Sequence, residues 1–186
     1  MRKLPYFNPI ELMKEFDEFL SAQSHKFEAV LIGSGAMNIL GLLESRTVDL
    51  DILDPKIPPQ ILKLALDFRE LKLSQGVELQ ESWINNGPSS LLNHLPKDWS
   101  TRVQPLFKGK ALTLVTLGRQ ELFMDKLWGY CDTRTADKTV ILNLRPTRKE
   151  LKTAAEWVKK QEGNPEWPKH VDDCVADIEE ALAYEE

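Results

Sequence analysis

The chain has 186 residues, 42% of them hydrophobic, and a formal net charge of −5 at pH 7. This length predicts one full domain, or a domain with a helical appendage, with enough apolar residues for a core. No apolar run is long enough to span a membrane, and the N-terminus lacks a signal-peptide pattern, so we expect a cytoplasmic protein. The negative net charge argues against a broad nucleic-acid surface.

The residue types that usually bind zinc are scattered. Cys131 and Cys174 are far apart in the sequence and have no metal-binding spacing, so both are expected to be reduced thiols. The three histidines, His25, His94 and His170, also lie apart, which argues against a histidine-rich zinc site.

The first predicted helix begins at Asn8-Pro9, because asparagine is a favoured N-cap and proline is favoured in the first turn. Apolar residues recur on one face of this helix and predict that it packs on a sheet. They are Ile10, Met13, Phe16 and Leu20.

The stretch from Ala29 to Leu53 organises the rest of the chain. Residues 30–32 form an apolar run that ends at Gly33, a pattern typical of a core strand that reaches a turn. Ser34 is expected to cap the short helix that follows. Gly33 and Gly35 allow the backbone to adopt positive φ or to approach a ligand closely.

Residues 48–53 alternate between apolar and acidic side chains and predict a second strand. In a regular strand Asp49 and Asp51 would point to the same face. Two neighbouring carboxylates repel each other and stay ionised most easily beside a cation. A hard divalent ion such as Mg²⁺, which binds carboxylate and phosphate oxygens together, is the usual reason for such a pair.

A second helix is predicted from about Pro59 to Leu73, and Gly76 ends it. The next segment, Val77 to Ile84, has the composition of a third strand. A regular strand there would place Glu78 and Glu81 on opposite faces. Either glutamate could supply a third carboxylate, and solvent exposure is the alternative for both.

The remaining elements are a hairpin and three helical segments. Residues 103–107 and 111–117 predict two strands joined by a short turn. A helix then runs from Gly118 to about Cys131, and Pro146-Thr147 begins another. After a linker at 163–168, the last helix has apolar residues at helical spacing. We expect the two C-terminal helices to form a hairpin, residues 146–186, that packs on a core of residues 1–145.

The central stretch resembles a known signature. A Gly-Ser turn before a helix, followed by Asp-x-Asp on the next strand, looks like the signature of the DNA polymerase beta-like nucleotidyltransferase superfamily. The longer pattern, G-S-G-A followed by R-T-x-D-L-D-I, is similar to a small prokaryotic branch that includes toxin–antitoxin and abortive-infection proteins. The resemblance implies an α+β fold, a small mixed sheet of the nucleotidyltransferase type flanked by helices, with a C-terminal helical extension.

The same resemblance implies roles for individual residues. The turn Gly33, Ser34 and Gly35 would hold the triphosphate, and Asp49 and Asp51 would be catalytic residues that bind Mg²⁺ or Mn²⁺. Arg46 would reach a phosphate or pair with these aspartates.

A second segment, ELFMDKLWGYCDTRTADKTVILNL, resembles a helix with an inward lysine, a basic-acidic connector and another helix. Lys126 matches the lysine and would be a catalytic residue that also binds the nucleotide. Arg134 and Asp137 match the connector, and Asp137 is also expected to bind the nucleotide. The branch usually has a second acid one turn later, where this chain has Val140.

Each feature also has a purely structural interpretation. The glycine turn could be a tight turn that binds no ligand, and the aspartates could be a solvated pair at a sheet edge. Lys126 could reach solvent from an otherwise apolar helix. These alternatives stay open from the sequence alone.

The sequence therefore predicts a metal-dependent nucleotidyltransferase that uses a nucleoside triphosphate. Its hydroxyl acceptor could be tRNA, a protein or a small molecule, and the chain could act as one component of a toxin–antitoxin pair, with a cognate toxin or antitoxin as its partner. The alternative is a catalytically silent antitoxin or binding module with the same fold. No membrane partner is expected.

Overall fold

The computed structural model describes residues 6–44 and 47–182. The chain divides into two compact units. The first unit contains residues 1–95 and 103–116, and the second contains residues 96–102 and 117–186. The predicted α+β class is confirmed, because a mixed sheet and helices make up the described residues.

The first unit contains all the strands of the described sheet. Its elements are α1 (Pro9–Ala22), β1 (Phe27–Ile32), α2 (Gly33–Ile39), β2 (Leu50–Asp54), α3 (Pro59–Ser74), β3 (Ile84–Asn85), a 3₁₀ segment (Gly87–Asn93), β4 (Gln104–Lys108) and β5 (Leu112–Thr116).

The second unit contains helices and no strand among its described residues. Its elements are a 3₁₀ turn (Trp99–Arg102), α4 (Arg119–Cys131), α5 (Ala136–Leu144), α6 (Arg148–Val158) and α7 (Trp167–Leu182).

The sheet has the strand order β3-β2-β1-β5-β4 within the described residues. Its central strand β1 runs antiparallel to β2 and parallel to β5. The outer strands β3 and β4 pair parallel with β2 and antiparallel with β5, respectively. The end of β1 therefore lies beside the start of β2, because antiparallel neighbours run in opposite directions.

Aromatic side chains form the centre of the core that covers this sheet. Phe16 of α1 lies 5.2 Å from Phe68 of α3 and 5.0 Å from Trp83, measured between ring centroids. The indole N–H of Trp83 donates to the carbonyl of Ala65 at 3.1 Å. These tilted and edge contacts are favourable aromatic geometries, so they hold α1 and α3 to one another.

A buried carboxylate joins α1 to the hairpin between β4 and β5. Asp17 accepts hydrogen bonds from the backbone N–H groups of Lys110, Ala111 and Leu112, at 3.0, 2.7 and 2.7 Å. A Cβ at Gly109 would overlap the same carboxylate. Burial raises the pKa of Asp17, but the three backbone donors together outweigh it and hold the pKa below its ordinary value.

The helices of the second unit share one apolar core. α6 and α7 contribute buried residues to the same cluster as α4 and α5, so the C-terminal helices pack on the helices that precede them. The domain boundary predicted after residue 145 stays a prediction. Representative members of the cluster are Phe123, Leu127, Ile141, Leu151, Val158, Val171 and Ile178.

The strand predicted over residues 77–84 is wrong. Pairing begins only at Ile84, and Glu78 and Glu81 are exposed outside any strand. The backbone here is anchored differently, because the buried residue Leu79 accepts a hydrogen bond at its carbonyl from Arg69 Nε at 2.9 Å.

Within the described residues, no helix combines the length and the apolar character needed to cross a bilayer. Cys131 and Cys174 are both unbridged.

Candidate functional site

The turn at Gly33 brings the end of β1 against the side chain of Asp51. Gly33 has φ +74°, which favours glycine. A Cβ at Gly33 would overlap the Asp51 carboxylate, and Ile32 is paired with Asp51 across the strands. Two independent constraints therefore require glycine at this position, and the predicted turn and one predicted metal ligand lie in contact distance of each other.

Ser34 does not cap the helix, contrary to the sequence prediction. α2 begins two residues earlier than a Ser34 cap would place it, at Gly33, and its N-cap is Ile32, which makes no side-chain cap. The Ser34 hydroxyl lies instead 2.8 Å from the Thr47 hydroxyl. The serine side chain thus connects the turn to the segment that leads into β2.

Asp49 lies just before β2, so the prediction of a strand that begins at residue 48 is wrong at its start. The Thr47 hydroxyl donates to the Asp49 carbonyl at 2.9 Å and accepts from the Asp49 N–H at 3.4 Å. A threonine hydroxyl that binds nearby backbone groups competes with strand pairing. This local bonding explains why β2 begins only at Leu50.

The third residue of the turn, Gly35, packs tightly against the same segment. A Cβ at Gly35 would lie 3.1 Å from Leu50 Cδ2 and 3.6 Å from the Asp49 carbonyl oxygen. Glycine here lets α2 approach the backbone that carries both aspartates.

The electrostatic state of Asp49 reflects its burial. Burial raises the pKa of Asp49, and a hydrogen bond from Thr47 partly opposes this rise. A carboxylate with a raised pKa would be stabilised by a nearby positive charge. Arg46, predicted to supply such a charge, lies outside the described residues.

The carboxylates fit a hard divalent ion that is bound mainly by other ligands. Among residues 6–44 and 47–182, no group of three or more His, Cys, Asp or Glu side chains is placed to hold a metal. Mg²⁺ commonly uses one or two protein carboxylates and takes its remaining ligands from water and substrate phosphates. Asp49 and Asp51 match this donor set, and their role as metal ligands stays a prediction.

Lys126 lies in the second unit, where α4 buries it almost completely. Its ammonium is 2.9 Å from Asp125 Oδ2 and 3.3 Å from Asp137 Oδ1. Burial alone would lower the pKa of Lys126, but the two carboxylates outweigh it and raise the pKa above its ordinary value. Lys126 is therefore a charged side chain in a buried ion cluster.

Asp137 is the less completely satisfied member of this cluster. Burial raises its pKa, although Lys126 counteracts the rise. Its Oδ2 atom makes no hydrogen bond within the described part of the chain, and Arg134 Nε lies 3.7 Å away. Lys126, Arg134 and Asp137, which the sequence pattern predicted to belong to one segment, lie together. Val140, where an acid was expected, is buried.

Two residues that contact the predicted site residues were not themselves predicted, namely Thr47 and Asp125. Thr47 stood within the quoted R-T-x-D-L-D-I pattern, but nothing in the sequence showed that its hydroxyl would join Ser34 to Asp49. Asp125 directly precedes Lys126, and adjacent residues on a helix normally do not face each other. The sequence therefore gave no signal for the Asp125–Lys126 pair.

One comparison with known proteins gave a match. A family model described as a nucleotidyltransferase of unknown function, DUF6036, matches residues 9–145, which is well over half of the chain. The match includes the Gly33 turn, both aspartates, Lys126 and Asp137. Neither the curated proteins nor the solved structures yielded a match.

Proposed function

The chain belongs to the DUF6036 family of nucleotidyltransferases of unknown function, and we propose that it moves a nucleotide from a nucleoside triphosphate to a hydroxyl acceptor with the help of Mg²⁺ or Mn²⁺. One observation carries the metal-dependent part of this proposal. The Asp51 carboxylate occupies the space that a Cβ of Gly33 would need. A tight turn and a carboxylate thus meet at the corner where triphosphate and metal would bind together.

Asp49 and Asp51 would hold the metal ion, which supplies Lewis-acid stabilisation of the charge on the phosphates. The backbone N–H groups of the turn from Gly33 to Gly35 would bind the terminal phosphates. The turn also excludes side chains from this corner, because neither glycine position accepts a Cβ without displacement of its neighbours. A triphosphate held at this turn and metal would place the α-phosphate for in-line attack by the acceptor hydroxyl.

The resemblance assigns three further residues to the nucleotide, and these assignments stay predictions. Lys126 is charged and Asp137 lies beside it in the second unit. Arg46 lies outside the described residues. A structural role is the alternative for Lys126, because its ammonium pairs with two carboxylates of its own unit.

The hydroxyl acceptor of the transferred nucleotide is also proposed from the resemblance. The resemblance to the toxin–antitoxin branch favours a cytoplasmic protein that modifies tRNA, a protein hydroxyl or a small molecule, and that pairs with a cognate toxin or antitoxin. ATP is a natural donor to test first among the nucleoside triphosphates.

A second candidate function is a catalytically silent binding module. Its support is the buried Val140 at a position where the resemblance expects an acid. Glu78 and Glu81, the candidates for a third carboxylate, are exposed and lie outside any strand, so no third acid is assigned to the site.

A transfer assay tests both functions. The protein would be incubated with labelled nucleoside triphosphates, Mg²⁺ or Mn²⁺, and either total RNA or candidate partner proteins. We expect label transfer by the wild type and its loss in Asp49→Asn and Asp51→Asn. The matched control is Asp67→Asn, an exposed aspartate of α3, which should retain transfer.

The other outcomes separate the alternatives. Binding of a magnesium–nucleotide complex by calorimetry, without transfer to any acceptor, would support the silent module. A wild-type chain that neither binds nor transfers nucleotide would contradict both functions.

A further inference from the structure

Thr47 has an unusual number of polar contacts for a residue that is only 2% exposed. Its hydroxyl oxygen lies 2.8 Å from Ser34 Oγ, 2.9 Å from the Asp49 carbonyl oxygen and 3.4 Å from the Asp49 nitrogen. Its own carbonyl accepts a hydrogen bond from the Phe7 N–H at 2.9 Å. One buried side chain thus joins the Ser34 turn to the segment that carries Asp49.

The direction of each hydrogen bond follows from counting protons. A threonine hydroxyl has one proton and can accept two hydrogen bonds. The carbonyl and the carboxylate of Asp49 both lie within reach of the Thr47 hydroxyl and can only accept, so the single Thr47 proton goes to Asp49 and not to Ser34. The Thr47 oxygen must then accept from the Asp49 N–H and from the Ser34 hydroxyl. The Ser34 proton is therefore committed to Thr47.

We propose that Thr47 is a positioning residue of the nucleotide site, whose hydroxyl fixes the Ser34 turn and the Asp49 segment relative to each other. This inference rests on the proposed function, because it assigns Thr47 a role in binding the magnesium–nucleotide complex. Thr47 acts through Ser34 and Asp49 and need not touch the substrate itself.

The inference also refines how Ser34 contributes. Because its proton is given to Thr47, the Ser34 oxygen offers a ligand only lone pairs. A phosphate oxygen, which is itself an acceptor, gains nothing from those lone pairs. The serine hydroxyl then serves to hold the turn in register with the Asp49 segment.

The side chain at position 47 is closely specified by its surroundings. The Thr47 methyl group lies 3.9 Å from the point where a Cβ of Gly35 would stand. Valine keeps the shape of threonine but can neither donate nor accept a hydrogen bond. Serine keeps the hydroxyl and loses the methyl group, so the two variants separate hydrogen bonding from packing.

The test is a double-mutant cycle on nucleotide affinity. Titration calorimetry would measure the binding of α,β-methylene nucleoside triphosphates of the four bases in the presence of Mg²⁺. We expect Thr47→Val to weaken binding about tenfold, the size of one or two lost hydrogen bonds. Ser34→Ala should weaken binding about threefold in the wild type and have no effect when combined with Thr47→Val, because both changes remove one shared hydrogen bond.

Two further variants serve as controls. Thr47→Ser retains the hydroxyl and should bind nucleotide within about twofold of the wild type. Thr116→Val makes the same exchange at another buried threonine of the first unit, whose hydroxyl has no hydrogen-bond partner among the described residues. It should leave nucleotide binding unchanged. Thr47→Ala, which removes the hydroxyl without a second methyl group, serves if Thr47→Val does not fold.

The possible results are distinguishable. Wild-type affinity in Thr47→Val, independent effects of Thr47→Val and Ser34→Ala, or a failure of Thr47→Ser to restore binding would each overturn the inference while the proposed function stands. A wild-type chain that binds none of the magnesium–nucleotide complexes would refute the proposed function, and this inference with it.

Discussion

Two corners of the first unit contain a buried or half-buried aspartate, and the chain treats them in opposite ways. At the first corner, Asp17 receives three backbone N–H groups from the hairpin, and its pKa is lowered. At the second corner, burial raises the pKa of Asp49, and the hydrogen bond from Thr47 only partly offsets it. The ionised form of Asp17 is thus stabilised by backbone hydrogen bonds, whereas the ionised form of Asp49 is stabilised less.

The difference in pKa fits the proposal that the Asp17 corner serves stability and that the Asp49 corner binds a ligand. A carboxylate that accepts several backbone hydrogen bonds is already satisfied and has little capacity left for an ion. Groups with a pKa raised by desolvation are enriched at functional sites, because a substrate or metal completes their environment. Asp17 therefore serves as a tether for α1, while Asp49 fits a site that is completed by a cation.

The second unit contains a third way to stabilise buried carboxylates, because Lys126 pairs there with both Asp125 and Asp137. We expect Lys126→Met to lower the free energy of unfolding by about 3 kcal/mol, since it leaves Asp125 and Asp137 buried without their cation. Urea titration, with hydrogen exchange of residues 119–144, would measure the loss.

The control for this change is Lys63→Met, which removes the cation of an exposed pair with Asp67. It should change stability by less than about 0.5 kcal/mol. A loss below about 1 kcal/mol in Lys126→Met would show that the buried carboxylates do not depend on the lysine.

The ligand corner can be broken by a single methyl group. Gly33→Ala should reduce nucleotide transfer at least about 100-fold, because the added Cβ would displace Asp51 and small misplacements of a reacting group are costly. Gly41→Ala is a matched control, since Gly41 also has positive φ but has open space around its Cβ position. Equal losses in both variants would attribute the effect to backbone strain instead of to Asp51.

A substitution at Asp17 should lower the stability of the protein without lowering its transfer activity. Asp17→Asn is expected to cost about 2 kcal/mol of unfolding free energy, because the amide NH₂ replaces one acceptor oxygen and leaves at least one hairpin N–H unsatisfied, while the remaining bonds lose their charge. Transfer activity per folded molecule should stay at the wild-type level. A variant with normal stability and reduced activity would reverse the roles assigned to the two corners.

The smallest expected effect is the pH dependence of the tether. The native pKa of Asp17 lies below the ordinary value of 3.8, so the unfolded chain binds its proton first as the pH falls. The stabilisation by Asp17 is therefore present above the unfolded pKa and is lost as the pH falls through the native pKa. In urea titrations, the stability difference between wild type and Asp17→Asn should begin to narrow below about pH 5 and continue to narrow as the pH falls below 3.8. A constant difference would contradict the assignment of the shift to Asp17.

Local patterns in the sequence predicted much of the fold. The N-cap at Asn8, the strand–turn–helix at Gly33, the hairpin strands and the helix that contains Lys126 all appear close to their predicted positions. Each depends on periodicity or on a turn residue within a few positions, which a single sequence displays directly.

The errors arose where hydrogen bonds from side chains to the backbone decide the local structure. Asp49 was placed in a strand because its neighbours alternate, but the Thr47 hydroxyl takes up its backbone groups. The segment around Leu79 was also predicted as a strand, yet its carbonyl bonds to Arg69 of a helix. Asp17 gave no signal, since its partners lie more than 90 residues further along the chain.

The pairing of β1 with β5 has a consequence for how the first unit is completed during synthesis. Phe27 pairs with Leu112, so the central strand gains one of its neighbours only after a long intervening stretch has been made. Residues 96–102, which belong to the other unit, interrupt that stretch. Contacts between positions so distant in sequence slow folding, because a large loop must close before they form. A nascent chain that stops before Leu112 would therefore leave β1 with an open edge, the kind of edge that other strands readily join.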